Sequence, residues 1–219
     1  MLNTNKYPRG GYMNDWNLDL KERPGFIEFD MDDLEKVCQC NVDAYRDYPL
    51  YPAIFGSLAG PDIIYKNWYA SVRAIEGNAV MVVDSKDVNG FAIFVPPGYK
   101  GMPTFGYLKS GGLTMPPSTY LPQMRYESYC MKLKKKYTDH QSWYMLDLVV
   151  RQDRQRQGIA RGLMEPVMEA LDRTGQDIYL ETHHPDNVPI YQKFGFEVAE
   201  VGKVPGSNLD HYGMLRRHR

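Results

Sequence analysis

Residues 143–162, WYMLDLVVRQDRQRQGIARG, decide the fold. The first eight are apolar on both alternating faces except at Asp147, as expected of a central strand that is buried on both sides. Beyond the arginine-rich loop, apolar residues recur at helical spacing and define one buried stripe: Ala160, Leu163, Met164, Val167, Met168 and Leu171. The stretch therefore predicts a strand, a glycine-containing loop and a helix, in that order.

The loop between the strand and the helix is suited to an anion. The first amide N–H groups of a helix have no intrahelical partner, and the aligned peptide dipoles add positive partial charge there. Gly158 permits close approach of the backbone, and Ala160 keeps a nearby position small. Arg154, Arg156 and Arg161 can neutralise outlying phosphate charge. This geometry suits a pyrophosphate.

Two common nucleotide motifs are absent from this loop. A Walker-type loop needs Lys-Ser/Thr after its second glycine, whereas Gly162 is followed by Leu163 and Met164. The G-x-G-x-x-G pattern of dinucleotide sites is also missing. On the loop alone, a tight turn between two buried elements remains an equal alternative.

Two signatures together carry a resemblance to a known family. Residues 155–160, QRQGIA, resemble the [QR]-x-x-G-x-[GA] signature of the GNAT superfamily of acyl-CoA-dependent N-acyltransferases. Downstream, Asn187, Tyr191 and the pair Gly195-Phe196 in NVPIYQKFGF look like the second signature of that family. The resemblance is clear over residues 142–214, and residues 26–140 match only in the order of their elements.

The resemblance implies an α/β (α+β) GNAT fold. Its central mixed, mostly antiparallel twisted sheet has about six to seven strands, is flanked by helices and is splayed between strands 4 and 5. We expect one acetyltransferase domain over residues 26–219, with an acceptor-shaping half at 26–140 and an acyl-CoA-binding half at 142–216. Residues 1–25 show no sustained period and are predicted to form an N-terminal extension.

The resemblance also implies acetyl-CoA as cosubstrate and no metal. In the family, the strand before the loop pairs its backbone with the pantetheine arm, and the loop amides hold the pyrophosphate. An amide at Val149 or Val150 is expected to meet the oxyanion. The implied cofactor-binding residues are Leu148, Val149, Val150, Gln155, Arg156, Gln157, Gly158, Ile159, Ala160, Arg161, Asn187 and Tyr191.

Acyl transfer to an amine requires a neutral nucleophile, a stabilised oxyanion and a proton for the departing thiolate. Tyr191 matches the general acid of the family and lies one helical turn after Asn187, whereas many members have two turns between them. A core aromatic with a satisfied hydroxyl is the structural alternative for Tyr191. Glu181 and Asp147 are the acids closest in sequence to the expected cleft, and either could be a paired structural carboxylate. We take Tyr191 and Glu181 as the candidate catalytic pair.

Composition narrows the alternatives. Lys and Arg number 26 against 27 Asp and Glu, so the net charge of −1 argues against nucleic-acid binding. Cys38, Cys40 and Cys130 lack zinc or dithiol spacing, and no stretch approaches ~20 apolar residues. We expect a cytoplasmic protein without membrane contact. Adjacent residues on a strand point to opposite faces, so His183-His184 is not expected to bind metal.

The remaining helices and strands are predicted from the spacing of apolar residues and from the positions of proline and glycine. Strands are predicted at FIEF, AVMVV, FAIFV, DIYLET, FEVAEV and HYGMLRR, and the second and third of these form a hairpin. Helices are predicted from the acids after residue 29 to about Tyr45, at about 62–76 and 118–137, and at NVPIYQKFG. Prolines in DYPLYPAIFG end the first helix. Residues 96–117 are dense in Pro and Gly and are predicted to be an irregular loop.

The acceptor pocket is expected to be aromatic. Tyrosines crowd the stretches that shape it and could form a cation-friendly cleft: Tyr45, Tyr48, Tyr51, Tyr120, Tyr126 and Tyr129. No cluster of acids along the sequence indicates a polyamine or a lysine-rich tail, so a small-molecule amine is favoured. A non-catalytic acyl-CoA-binding module and a protein or peptide N-acetyltransferase stay open. The oligomeric state also stays open, with a homodimer as one option.

Overall fold

A computed structural model describes residues 18–219 of the chain. Most of the expected N-terminal extension, residues 1–17, lies outside the described residues. Leu18 and Leu20 are buried in the core beneath the helix at residues 159–174. The guanidinium of Arg173 donates a hydrogen bond to the Leu18 carbonyl and fixes this segment to the helix.

Seven strands form one sheet in the order β1-β2-β3-β4-β5-β7-β6. The strands β4 and β5 pair in parallel, and every other neighbouring pair is antiparallel. Their bounds are β1 Ile27–Glu28, β2 Val80–Val83, β3 Gly90–Val95, β4 Trp143–Val150, β5 Ile178–Thr182, β6 Glu197–Lys203 and β7 Asp210–Arg216. The mixed, mostly antiparallel sheet predicted from the sequence is confirmed.

Seven α-helices flank the sheet within the described residues. They are α1 Leu34–Tyr45, α2 Leu50–Phe55, α3 Pro61–Ala74, α4 Thr104–Lys109, α5 Tyr120–Tyr137, α6 Ile159–Thr174 and α7 Asn187–Lys193. The helix α6 begins after Gly158 and ends before Gly175, and both glycines adopt the left-handed conformation that favours residues without a Cβ. The helix runs unbroken through Pro166.

Alternation along β2 and β3 divides the core between the two faces of the sheet. Met81 and Ile93 contribute to the core beneath α1, α3 and α5, while Val80 and Phe94 contribute to the core beneath α6. Both strands are buried at every position. In the described part of the chain, no helix combines the length and apolar character needed to cross a bilayer.

The sheet splays between β4 and β5. These strands pair only at Trp143↔Ile178 and Tyr144↔Tyr179, near their amino ends. Beyond Tyr144, the β4 edge that faces β5 has no strand partner among the described residues. The predicted splay is confirmed, and it opens a gap in the middle of the sheet.

The prediction of an irregular loop over residues 96–117 is wrong in part. It contains α4, and 3-10 turns occur at Gly112–Thr114 and Pro117–Thr119. The Pro and Gly residues lie mainly at the element ends, where Pro103 precedes α4 and the missing donor of proline costs nothing. Tyr107 holds α4 in place through its hydroxyl, which donates to Asn67 Oδ1 at 2.9 Å.

The proline-rich stretch DYPLYPAIFG ends α1, as predicted, but it also forms α2. Pro49 stands at the N-cap and Pro52 in the first turn, where neither ring breaks an internal hydrogen bond. Tyr51 and Phe55 from α2 are buried. This short helix therefore contributes two aromatic rings to the core on one face of the sheet.

Candidate functional site

A cleft of about 1270 Å3 lies where β4 and β5 diverge. The ends of both strands line it, together with the loop before α6 and the helix α7 on one side. The first helices and α5 line it on the other side. The cleft is therefore lined both by residues 44–131 and by residues 144–194.

The loop before α6 forms an amide-rich cradle at the mouth of the cleft. Gly158 has a φ of 84°, and Arg156, a residue with a side chain, has a φ of 62°. The first helical hydrogen bond runs from Gly162 N to Gly158 O at 2.9 Å. The amides of residues 158–161 donate no hydrogen bond within the described chain. Four N–H groups are thus free for an anion.

Eleven of the twelve predicted cofactor-binding residues line the cleft. Gln157 is the exception, because its side-chain amide turns back to the Asp153 carbonyl at 3.4 Å. Arg154, Arg156 and Arg161 also line the cleft, next to the cradle. The side chain of Arg161 pairs with Glu165, whereas Arg156 makes no ion pair with any described residue.

The pairing of β4 with β3 distinguishes the two amides proposed for the oxyanion. Arg151 N donates to Asn89 O at 2.9 Å, and Val149 lies opposite Phe91 two residues earlier. Because hydrogen-bonded pairs alternate in an antiparallel ladder, the Val149 amide faces β3 and the Val150 amide faces the splayed edge. Of the two, Val150 has its N–H on the side of the cleft.

Asn187 and Tyr191 both line the cleft from α7. The Asn187 Nδ2 donates to Thr182 Oγ1 at 3.0 Å, and Tyr48 OH lies 3.3 Å from the same hydroxyl. Asn187 is therefore engaged in holding α7 to the end of β5. Tyr191 is buried. Burial is the main cause that raises the pKa of its phenol, and the charges of Tyr48 and Asp147 raise it further. A phenol held protonated at neutral pH can donate a proton.

Glu181 lies in the cleft wall on β5. Its Oε2 accepts a hydrogen bond from Tyr144 OH, while its Oε1 is sealed from solvent without a partner in the described chain. Burial raises the pKa of Glu181 to about 8, against the opposing effects of the Tyr144 hydrogen bond and the charge of Lys134. The free oxygen and the raised pKa suit a general base.

Asp147 faces the same cleft from β4. Its Oδ1 accepts from Tyr45 OH at 3.0 Å and from Leu148 N at 3.1 Å, and its Oδ2 accepts from Asn41 Nδ2 at 3.1 Å. Burial raises its pKa to about 7, and these hydrogen bonds oppose the rise. Since both oxygens are engaged, Asp147 has the form of a structural carboxylate that ties α1 to β4.

The adjacent histidines have different surroundings, but not for the reason predicted, because β5 ends at Thr182 and both residues follow the strand. His183 is buried against Tyr126 and His211, with its Nε2 3.0 Å from Tyr126 OH and 3.1 Å from His211 Nδ1. Burial, followed by the charge of His211, lowers the pKa of His183 to about 3, so its ring is neutral at physiological pH. His184 is partly exposed beside Asp186.

Cys130, Glu181 and His211 each bring one ligand atom within 4.8 Å of the others. This grouping joins α5, β5 and β7 and could not be seen from sequence spacing. Burial raises the pKa of the Cys130 thiol well above its ordinary value. Zinc needs the thiolate, which this environment disfavours. We assign no metal to the group.

The aromatic lining differs partly from the prediction. Tyr45, Tyr48, Tyr51 and Tyr126 line the cleft, whereas Tyr120 and Tyr129 do not. Tyr99 and Tyr144, with ring centroids 6.0 Å apart, also line it and were not expected there. Glu127 on α5 is a further lining residue that the sequence analysis missed. The sequence around Glu127 does not indicate which face of α5 this side chain occupies.

Comparison with known proteins agrees with this geometry. Residues 129–198 match the family model described as an acetyltransferase (GNAT) domain. This part of the chain, from α5 to the start of β6, is similar to a GNAT acetyltransferase domain. An uncharacterized N-acetyltransferase of Schizosaccharomyces pombe is 43% identical over 58 residues. That match covers 26% of this chain and only 24% of the length of the yeast relative.

Solved structures share the GNAT fold at low sequence identity. The histone acetyltransferase HPA2 and related acetyltransferase of Corynebacterium glutamicum has a TM-score of 0.61 and 16% identity, covering 90% of this chain and 98% of that one. Arylalkylamine N-acetyltransferase 2 of Aedes aegypti has a TM-score of 0.60 and 15% identity, covering 89% and 98%. The PaiA N-acetyltransferase of Thermoplasma acidophilum, in complex with coenzyme A, has a TM-score of 0.52 and 12% identity, covering 88% and 98%.

Proposed function

We propose that this protein is a cytoplasmic N-acetyltransferase that moves an acetyl group from acetyl-CoA to a primary amine of a small molecule. The observation that carries the proposal is the position of the amide cradle. Free N–H groups at residues 158–161 open onto the same cleft as Glu181 and Tyr191. An anion site and an acid–base pair thus share one cavity.

The cleft fits acetyl-CoA by its chemistry. Unpaired amides at a helix N-terminus favour a pyrophosphate, and Arg154 and Arg156 add positive charge beside them. The unpaired edge of β4 offers backbone groups to the amides of the pantetheine arm. When bound, acetyl-CoA supplies an activated acyl group as a thioester. Val150, with its N–H toward the cleft, is suited to donate to the acyl oxygen.

The acid–base roles follow from the two carboxylates and the phenol. Amines are protonated at neutral pH, so a base must first remove a proton from the acceptor. We assign the base to Glu181 because its Oε1 has no hydrogen-bond partner in the described chain, whereas both oxygens of Asp147 are engaged. Tyr191, whose pKa is raised by burial, keeps its proton for the departing thiolate. Direct attack in a ternary complex needs no residue that becomes acylated.

Thiol release from acetyl-CoA across a panel of small amines and peptide tails tests the proposal. We expect release to be accelerated by small primary amines and not by peptides, because the acceptor half of the cleft is enclosed by α1, α2, α3 and α5. CoA binding without acceleration by any acceptor would instead support a non-catalytic acyl-CoA-binding module. Acceleration by peptides alone would support a protein N-acetyltransferase.

A further inference from the structure

Charge is segregated along the cleft. The lysines and arginines among its described lining residues are Arg154 and Arg156 in the loop before α6, Arg161 in the first turn of α6, and Lys193 at the end of α7. Described lining residues from 44 to 131, which form the acceptor half, include no lysine or arginine. The acids Asp47 and Glu127 belong to this half, and Asp147 and Glu181 adjoin it from β4 and β5. Two further acids, Glu165 and Asp186, lie on the side of the four cations and offset part of their charge. The acceptor half therefore favours cations over anions.

Glu127 is the acid in this group without an evident structural reason. It lies on α5, and its Oε1 accepts from Gln123 Nε2 at 3.2 Å. Gln123 is itself oriented by Tyr107, whose hydroxyl lies 3.3 Å from Gln123 Oε1. No lysine or arginine in the described chain forms an ion pair with Glu127. Glu127 is half-buried, and a carboxylate that is partly removed from water without a countercharge costs free energy unless a ligand supplies that charge.

Glu127 and Glu181 lie near each other in the lining of the cleft. Glu127 is three residues before Cys130 on α5, so the two side chains share one face of the helix, and the Cys130 Sγ lies within 4.8 Å of a Glu181 oxygen. Tyr99 lies against Tyr144, the residue that donates to Glu181. A short methylene chain in this part of the cleft would bring one ammonium group to each carboxylate. Aromatic faces also attract ammonium groups.

The segregation of charge and the position of Glu127 lead to one inference, which rests on the proposed function. We infer that the acceptor carries two cationic amines, one presented to Glu181 for acetylation and the other bound by Glu127. Preferred acceptors are then aliphatic diamines or polyamines. The transferred group, the base and the acid remain as proposed above, and Glu127 determines specificity without touching the reacting atoms.

Matched amines test the inference. For each chain length, kcat/KM is compared between an α,ω-diaminoalkane and the amino alcohol that carries a neutral hydroxyl in place of the second ammonium. We expect kcat/KM to be at least tenfold higher for the diamine, with an optimum chain length. The Glu127→Gln substitution should bring the ratio of the two kcat/KM values close to one by raising KM for the diamine. The control, Glu169→Gln, removes an exposed acid of α6 that does not line the cleft and should keep the preference.

Calorimetric binding of the diamine to the CoA-saturated protein gives a readout that does not depend on turnover. Binding that weakens about tenfold in Glu127→Gln but not in Glu169→Gln supports the inference even if no amine is acetylated. Equal kcat/KM for diamines and amino alcohols, or a preference that survives Glu127→Gln, overturns it. Acetylation of monoamines in that case leaves the proposed function intact, so the two failures can be distinguished.

Discussion

The Tyr144 hydroxyl donates a hydrogen bond to Glu181 Oε2 from the neighbouring strand, and Glu181 Oε1 is left without a partner. Tyr144 is the last β4 residue that pairs with β5, and its partner there is Tyr179. Glu181 lies two residues after Tyr179 on β5. The hydrogen bond therefore spans the start of the splay. It fixes the orientation of the carboxylate and leaves one oxygen for the acceptor.

We predict that Glu181→Gln lowers kcat by about 10²- to 10⁴-fold, the usual contribution of a general base. The carboxyl is protonated below its raised pKa of about 8, so wild-type activity should rise with pH through that value, and the variant should lose this limb. Initial rates between pH 6 and pH 10 measure the effect. CoA affinity serves as the control. If the variant keeps the rise of activity with pH, Asp147 rather than Glu181 is the general base.

Tyr191→Phe should slow acyl transfer while leaving the affinity for acetyl-CoA nearly intact. The substitution removes the proton of a phenol but keeps the ring, which packs 5.9 Å from Phe196 between centroids. Loss of an acid should reduce kcat by about 10²-fold. Stopped assays for turnover and calorimetry for binding separate the two effects. Tyr65→Phe, outside the cleft, is the matched control, and unaltered turnover in Tyr191→Phe would exclude Tyr191 from the mechanism.

Gly158→Glu should abolish acetyl-CoA binding through bulk and charge at the cradle. Gly175→Glu is a close control, because this glycine flanks the other end of α6 in the same left-handed conformation, and a Cβ at either position contacts nothing within 4 Å. Both substitutions should cost about 1 kcal/mol of folding free energy from backbone strain. Calorimetry with acetyl-CoA should show lost binding only for Gly158→Glu. Equal affinities in the two variants would contradict the cradle assignment.

The strand, the loop and the helix at residues 143–171 could be predicted because their signals are local. They are contiguous, and the second signature follows within the next 25 residues. Element types and helix starts follow from such short-range patterns, whereas the sheet and its splay are implied by the resemblance to the GNAT superfamily. The position of Gly158 at the start of α6 is a direct consequence of the short-range patterns.

The composition of the acceptor half could not be predicted, because its residues come from separate elements. Asp147, Glu127 and Glu181 are far apart in the sequence, and helical Glu127 carries no sign of the face it occupies. The sequence therefore shows no acidic cluster, although the cleft has one. Tyr120 and Tyr129 show the converse, since neither lines the cleft although both lie in a stretch that does.

Arg216→Met should lower the free energy of unfolding by about 3 kcal/mol. Arg216 is 3% exposed, donates two hydrogen bonds to Asp172 at 2.9 and 2.7 Å, and donates a third to the Phe194 carbonyl at 2.8 Å. The side chain thereby joins β7 to α6 and to the end of α7. Urea unfolding at pH 7 measures the loss.

The exposed pair Lys203–Asp210 provides the control for that prediction, because its contact is shorter, at 2.6 Å, but both side chains are exposed. Lys203→Met should cost less than about 1 kcal/mol, since solvent screens exposed pairs. Arg216 lowers the pKa of Asp172, so the pair stabilises the fold above the unfolded pKa of the carboxyl and loses this effect as the pH falls through the folded pKa. The difference between wild type and Arg216→Met should therefore shrink in acid. A difference that is independent of pH would show that Arg216 acts through packing and the Phe194 carbonyl rather than through the ion pair.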